Sequence, residues 1–171
     1  RNEGPFSLQG QLAMSERSID LTDAGAEIGG RAITGEAHYA RKERPRLAVV
    51  LEGGEIDAGQ LWPVGVDALT SVLAGAKADD AAPAEPAFRW LDPATMDLQM
   101  HLRAGTLLTA RGRLRDVDID VGLEGGRLGM RAVKFATADG LQLELEGSLA
   151  DARKAPRGAL QGTLVAPSRD A

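Results

Sequence analysis

Three aspartates at alternate positions, Asp116, Asp118 and Asp120 in "RDVDIDVGLEGGRLGMRAVKF" (115–135), are the residues of this chain whose types and spacing come nearest to a metal site. They match the first half of an EF-hand loop. The second half does not follow, because the sixth position, which needs glycine for its sharp turn, is Val121, and the twelfth, which needs a bidentate glutamate, is Arg127. Alternation accounts for the same residues without a metal: the carboxylates stand on the wet face of a strand whose other face is Val117, Ile119, Val121 and Leu123.

Other chemistry-bearing residues lack partners at useful spacing. Gly30 and Gly35 are spaced as in a phosphate loop, but Glu36 and Ala37 stand where Lys and Ser or Thr would hold phosphate and magnesium. Gly122, Gly125, Gly126 and Gly129 do not spell the dinucleotide fingerprint and are read as turn glycines. His38 and His101 are the only histidines, each set among alternating apolar neighbours, and no serine lies in a nucleophile elbow. Glu144 and Glu146 share a strand face, which solvates more often than it catalyses. The chain contains no cysteine, which removes disulfides, zinc thiolates and thiol nucleophiles. Neither an enzyme nor a cofactor is expected.

Composition bounds the elements that carry these residues. Of 171 residues 43% are apolar, enough for a core, but only 4% are aromatic, so Leu, Val, Ile, Ala and Met must build it. The 21 glycines imply many turns or close backbone contacts. Twenty Lys plus Arg are scattered against 25 Asp plus Glu, a net charge of −5 with no basic stripe, so nucleic acid is not an expected partner. No apolar run reaches the roughly 20 residues that span a bilayer. The chain opens on Arg1, and it is expected to be a fragment of something longer.

Alternation with a period of two dominates. Phe6, Leu8, Gly10, Leu12 and Met14 share one parity. So do Met96, Leu98, Met100 and Leu102, as do Leu141, Leu143 and Leu145, and Ile33, Gly35, Ala37 and Tyr39. Gly29-Gly30, Gly53-Gly54, Gly125-Gly126 and Asp139-Gly140 fall where runs end and predict hairpin turns. Parity slips between Leu114 and Val117 and between Met130 and Val133, which predicts bulges near Arg115-Asp116 and Arg131-Ala132. The expected fold is mainly all-β: a curved antiparallel meander with an apolar concave face. One short helix is expected within 64–78, on Leu69, Val72, Leu73 and Ala76, and a proline-rich linker over 77–94, tacked down by Trp90 and Leu91.

This divides the chain into a first β-module at 1–60, helix and linker at 61–94, and a second β-module at 95–171. "AITGEAHYARKERPRLAVVL" and "LELEGSLADARKAPRGALQGTLV" both read strand, glycine, strand, basic loop with proline, strand, and Gly147 minus Gly35 gives an offset of 112. A duplicated unit is a plausible source of that match. With a single short helix to cover it, the apolar face must fold over on itself, pack on another module, or remain a trough whose aliphatic walls suit acyl tails.

The stretch 102–149 resembles the repeating unit of the AsmA family of Gram-negative envelope proteins. The matching positions are Ala104, Gly105, Leu107, Leu114, Asp116, Val117, Val121, Leu123, Gly126 and Leu128. Residues 19–39 resemble the unit's other half through Ile28, Gly29, Gly30, Ile33 and Gly35. The resemblance implies a larger periplasmic protein, anchored in the inner membrane by a missing N-terminal helix, whose curved sheet carries phospholipid toward the outer membrane. It implies as partners phospholipid acyl chains and adjoining repeats of the same longer chain. Leu98, Met100, Leu102, Val117, Ile119, Val121, Leu141, Leu143 and Leu145 would then line the apolar groove. The rival expectation is a non-catalytic periplasmic scaffold or binding module with a sealed sandwich core.

Overall fold

The computed structural model describes residues 6–28, 30–57, 96–109, 112–150 and 157–167. They form one nine-stranded sheet in which spatial order equals chain order. The strands are β1 (Phe6–Met14), β2 (Ser18–Ile28), β3 (Arg31–Ala40), β4 (Arg46–Asp57), β5 (Asp97–Thr109), β6 (Gly112–Glu124), β7 (Arg127–Thr137), β8 (Gln142–Ala150) and β9 (Arg157–Val165). Strands β1 and β9 are outermost among the described residues. The helix expected at 69–76 and the linker at 77–94 lie outside the described residues.

The strands form where alternation is cleanest. Along β8 the leucines are partly buried and the glutamates exposed, and along β3 burial falls on Ile33, Gly35, Ala37 and Tyr39. Both predicted bulges are present. Strand β6 spends three residues from Arg115 to Asp118 while β7 spends two, and β7 does the same from Met130 to Val133 against β8. The extra residue lets Val117 and Val133 return to the apolar face. Asp116 absorbs the first distortion with φ of 52°, a left-handed conformation that aspartate tolerates better than most residues.

Two expectations are corrected. The meander is not wholly antiparallel, because β4 and β5 pair in parallel, in register from Arg46 with Asp97 to Asp57 with Leu108. A parallel neighbour cannot be reached by a hairpin and needs a crossover of a dozen or more residues, for which 58–95 supplies the length. The two β-modules expected on either side of that stretch thereby join edge to edge. The second correction concerns Gly53-Gly54, which lie inside β4 and turn nothing. A Cβ on Gly105 would stand 2.8 Å from the Gly54 carbonyl oxygen, and one on Gly53 2.9 Å from Ile56 Cγ1. These glycines let β5 and Ile56 come close. The turn glycines elsewhere behave as expected: Gly30, Gly125, Gly126 and Gly140 all have positive φ.

The core lies at the centre of the sheet. Ile56, Leu107 and Val133 are almost wholly buried, and Leu102, Ala104, Val117, Val121 and Met130 nearly so. They form two contiguous clusters across β3–β7, flanked by Leu51, Leu114, Ile119 and Phe135. Each of these side chains other than Ala104 is worth about 1.5–3 kcal/mol relative to exposure.

Candidate functional site

Register turns the alternating strands into two unlike faces. Residues paired across neighbouring strands share a face, so rows can be followed from edge to edge. One row runs Leu12, Leu21, Ala37, Val49, Met100, Val121, Met130, Gly147 and Leu160 without a polar side chain. The next runs Met14, Ile19, Tyr39, Leu47, Leu98, Leu123, Leu128, Leu149 and Gly158, broken only by one phenol. No polar or charged residue is buried among the described residues. In these two rows Tyr39 is the one hydrogen-bonding side chain, so they offer a shaped polar ligand a single anchor.

Of the residues expected to line a groove, the eight within strands belong to this face by register but differ in access. Met100, Leu102, Val117 and Val121 are buried in the core. Leu98, Ile119, Leu143 and Leu145 are partly buried, and so is Leu141, which stands in the turn before β8 with its N–H bonded to Thr137 Oγ1. The exposed large apolar side chains lie elsewhere, at Leu12, Met14 and Ile19 near one edge and at Leu160, Leu164 and Val165 on the other. The sequence held these residues in alternating runs; what it did not show was that their strands lie outermost.

The opposite face is ionic. The row Glu52, Arg103, Asp118, Lys134 and Glu144 alternates in sign across β4–β8, with Thr34 and Thr163 at its ends. Lys134 Nζ donates to Glu144 Oε1 at 2.6 Å, and Arg103 lies 3.9 Å from Glu52 and 3.7 Å from Asp118. The hydrogen bond that Lys134 donates to Glu144 raises the Lys134 pKa, with the charges of Glu144 and Asp118 adding to it. Asp118 also accepts from His101 Nε2 at 3.0 Å, and Asp120 from Arg131 Nε and Nη2 at 3.1 and 2.9 Å. The second histidine repeats the device, His38 Nδ1 bonding Asp20, which lowers the Asp20 carboxyl below its usual range.

Thus Asp116, Asp118 and Asp120 are brought onto three different tasks. Asp116 shapes a bulge, Asp118 anchors a charge ladder, and Asp120 holds the unpaired bulge residue Arg131. No group of three or more acidic or histidine side chains able to hold a metal ion occurs among the described residues. A shallow hollow of about 450 Å³ lies beside the ladder, rimmed by Glu52, Arg103, Asp116 and Asp118. Among the described residues each histidine is bonded to a carboxylate, His38 to Asp20 and His101 to Asp118.

A further ionic contact closes the parallel seam. Asp97, first in β5, accepts from Arg44 in the β3–β4 loop and from the Gly125 N–H at 3.0 Å in the β6–β7 turn. Those two bonds, Arg44's the larger, hold its carboxyl below the ordinary range.

The two halves expected to be duplicates agree at their glycines. Gly35 in β3 pairs with Leu51 and Gly147 in β8 pairs with Leu160. A Cβ on the first would lie 2.7 Å from the Val50 oxygen, and one on the second 2.2 Å from the Ala159 oxygen. Both glycines lie within continuous strands and admit the next strand of a hairpin, which replaces the expected break on either side of them. Comparison of the chain with protein-family models, with curated proteins and with solved structures returned no match to any of the three.

Proposed function

We propose that this chain is a length of one-sided β-sheet within an AsmA-like protein of the Gram-negative envelope, and that its apolar face accommodates phospholipid acyl chains on their way between membranes. The observation that carries the reading is the pair of apolar rows crossing all nine strands with no charge in either. An acyl chain needs a continuous aliphatic wall and no directional partner. The resemblance of 102–149 and 19–39 to the AsmA repeat supplies the setting: periplasmic, with an inner-membrane anchor elsewhere in the protein and adjoining repeats extending the sheet. No catalytic role is proposed.

A second reading, a sealed scaffold or binding module, is favoured by one observation. Met130, Val117 and Val121 are exposed by 3%, 3% and 5%, so the centre of the apolar face is closed to solvent. Leu143 separates the two, being partly buried between Phe135 and Leu164 near the outermost strand. If the face takes acyl chains there, Leu143→Asp leaves the circular dichroism spectrum intact and abolishes binding of a fluorescent fatty-acyl probe. In a sealed core the same change removes about 1.5–3 kcal/mol of burial and strands a charge, so the chain unfolds. In the full-length protein, a photo-crosslinker at Leu143 captures phospholipid and one at Glu144, on the ionic face, does not. Equal labelling at both positions contradicts the groove.

A further inference from the structure

Two glycines leave a gap in the ionic face. Gly122 in β6 and Gly129 in β7 lie within strands rather than in the turns expected for them, and they pair directly with each other. The row Ala48, Gln99, Gly122, Gly129 and Ser148 is therefore bare at its middle. The backbone does not require glycine at either position. Neither has positive φ, and the extra residue of the nearby bulge is Arg131. A Cβ on Gly122 would stand 3.7 Å from the Leu98 oxygen and one on Gly129 3.8 Å from the Gly122 oxygen, ordinary van der Waals contact. Glycine inside a strand costs stability, and where the chain itself has no need of it, it marks a place where a ligand approaches the sheet.

Guanidinium groups ring the gap. Arg127 and Arg131 stand two residues to either side of Gly129 along β7, Arg46 reaches in from β4 beside Gln99, and with Glu124 they rim a hollow of about 190 Å³. Arg46 Nη2 donates to Gln99 Oε1 at 2.8 Å and lies 3.5 Å from Glu124, and Arg131 is held by Asp120 at 2.9 Å. Those bonds fix two arginine heads at the rim. The third is uncommitted, since among the described residues no hydrogen bond or ion pair holds the Arg127 side chain. Neighbouring Asp97 is already taken by Arg44 and the Gly125 N–H. On a chain of net charge −5, three cations thus share a hollow whose lining includes one carboxylate, that of Glu124.

Size and charge together define the ligand. The hollow is smaller than the roughly 300–1,000 Å³ that houses a drug-sized molecule, so it fits one small group. Guanidinium forks bind carboxylate or phosphate through paired N–H donors. Donors on three sides suit the tetrahedral oxygens of phosphate better than the single plane of a carboxylate. We propose that the hollow between Arg46, Arg127 and Arg131 binds a phosphate group, with Gly122 and Gly129 as its bare floor. It opens on the face opposite the apolar rows, so this inference stands apart from the acyl-chain reading and fails or survives without it. The group belongs either to a soluble phosphate or to the headgroup of an anionic membrane surface.

Two-dimensional nuclear magnetic resonance of the 171-residue chain, titrated with inorganic phosphate at constant ionic strength, tests the site. The amides of Gly122, Arg127 and Gly129 should shift and saturate in the millimolar range. Arg127→Gln should weaken binding about tenfold. Gly129→Val, which fills the floor, should abolish it with the circular dichroism spectrum unchanged, and Gly129→Ala takes its place if valine perturbs the fold. Lys134→Gln, on the same face but outside the hollow, should leave binding as it was. Sedimentation with vesicles separates the two sources. Capture by phosphatidylglycerol but not phosphatidylcholine vesicles, lost in Arg127→Gln, identifies a membrane headgroup; saturable phosphate binding with capture by neither identifies a soluble phosphate. Absence of a saturable shift overturns the proposal. So does equal weakening by Lys134→Gln and Arg127→Gln, which would mean diffuse attraction to surface charge.

Discussion

Strands β6 and β9 share one pattern and live in different surroundings. Both alternate apolar and polar positions, β6 through Val117, Ile119, Val121 and Leu123 and β9 through Leu160, Gly162 and Leu164. In β6 the aliphatic residues Val117 and Val121 are buried, and the intervening aspartates are tied to His101, Arg103 and Arg131. In β9 every residue is exposed and glycine occupies two of the positions that face the sheet's apolar side. Alternation therefore makes a strand, but a strand becomes core only when neighbours on both sides bring their own apolar rows. Stability should be concentrated in β5–β7 and fall off toward β1 and β9.

The largest effect that can break this contrast comes from one charge placed in each region. Val133 is 1% exposed, so Val133→Asp loses about 1.5–3 kcal/mol of burial and adds an unpaired charge costing several more, enough to abolish cooperative unfolding. Leu164→Asp, at 62% exposure, should change stability by about 0.5 kcal/mol or less. Urea titration followed by circular dichroism reads both. Comparable losses would mean that edge and centre are equally packed.

A smaller effect sharpens the boundary between the two regions. Gly147 has φ of 141° and no room for a Cβ against the Ala159 oxygen, whereas nothing lies within 4 Å of a Cβ on Gly54. Gly147→Ala should cost about 1–3 kcal/mol, the range of local backbone strain, and detach β9 from β8. Gly54→Ala should be nearly neutral. Proteolysis that releases a C-terminal fragment from the first variant and not the second is the expected result.

How much of this was legible in the sequence follows from what is local. The apolar faces of β5, β6 and β8, the turns at Gly30, Gly125-Gly126 and Asp139-Gly140, and the bulges beside Asp116 and Arg131 all follow from parity and turn chemistry within a dozen residues. The bulge between Leu21 and Ala24 obeys the same rule but was masked by small alanines on the returning face. The parallel seam was not legible, because no local signal says which way a chain re-enters a sheet. Nor was the ladder from Glu52 to Glu144, which spans five strands and exists only once register is fixed. For the same reason the aspartates could be freed from a metal reading but not assigned to His101, Arg103 or Arg131.

The polar face should yield the smallest effects. Asp97→Ala removes acceptors for Arg44 and the Gly125 N–H and should cost about 1 kcal/mol, while Asp118→Asn, in partly exposed pairs, should cost less than about 1 kcal/mol. The pH dependence has a defined sign. Asp20, Asp97 and Asp139 have carboxyl pKa values lowered from 3.8 by bonds from His38, Arg44 and Thr137, so their stabilisation is complete above that value and is lost as acidification proceeds through the depressed folded range. Lys134 behaves oppositely, its contribution present below 10.5 and lost at higher pH. Melting temperature should accordingly hold steady near neutrality and fall below about pH 4.

Native-state amide exchange, measured by nuclear magnetic resonance, tests the central contrast most directly. Amides of Val117, Val121, Met130 and Val133 in β6 and β7 should exchange only through global unfolding, and those of Leu160 and Leu164 in β9 and Leu12 in β1 through local opening, orders of magnitude faster. Protection of β1 and β9 equal to that of β6 and β7 would contradict it, since the exposed outer strands bury less apolar surface than the centre does.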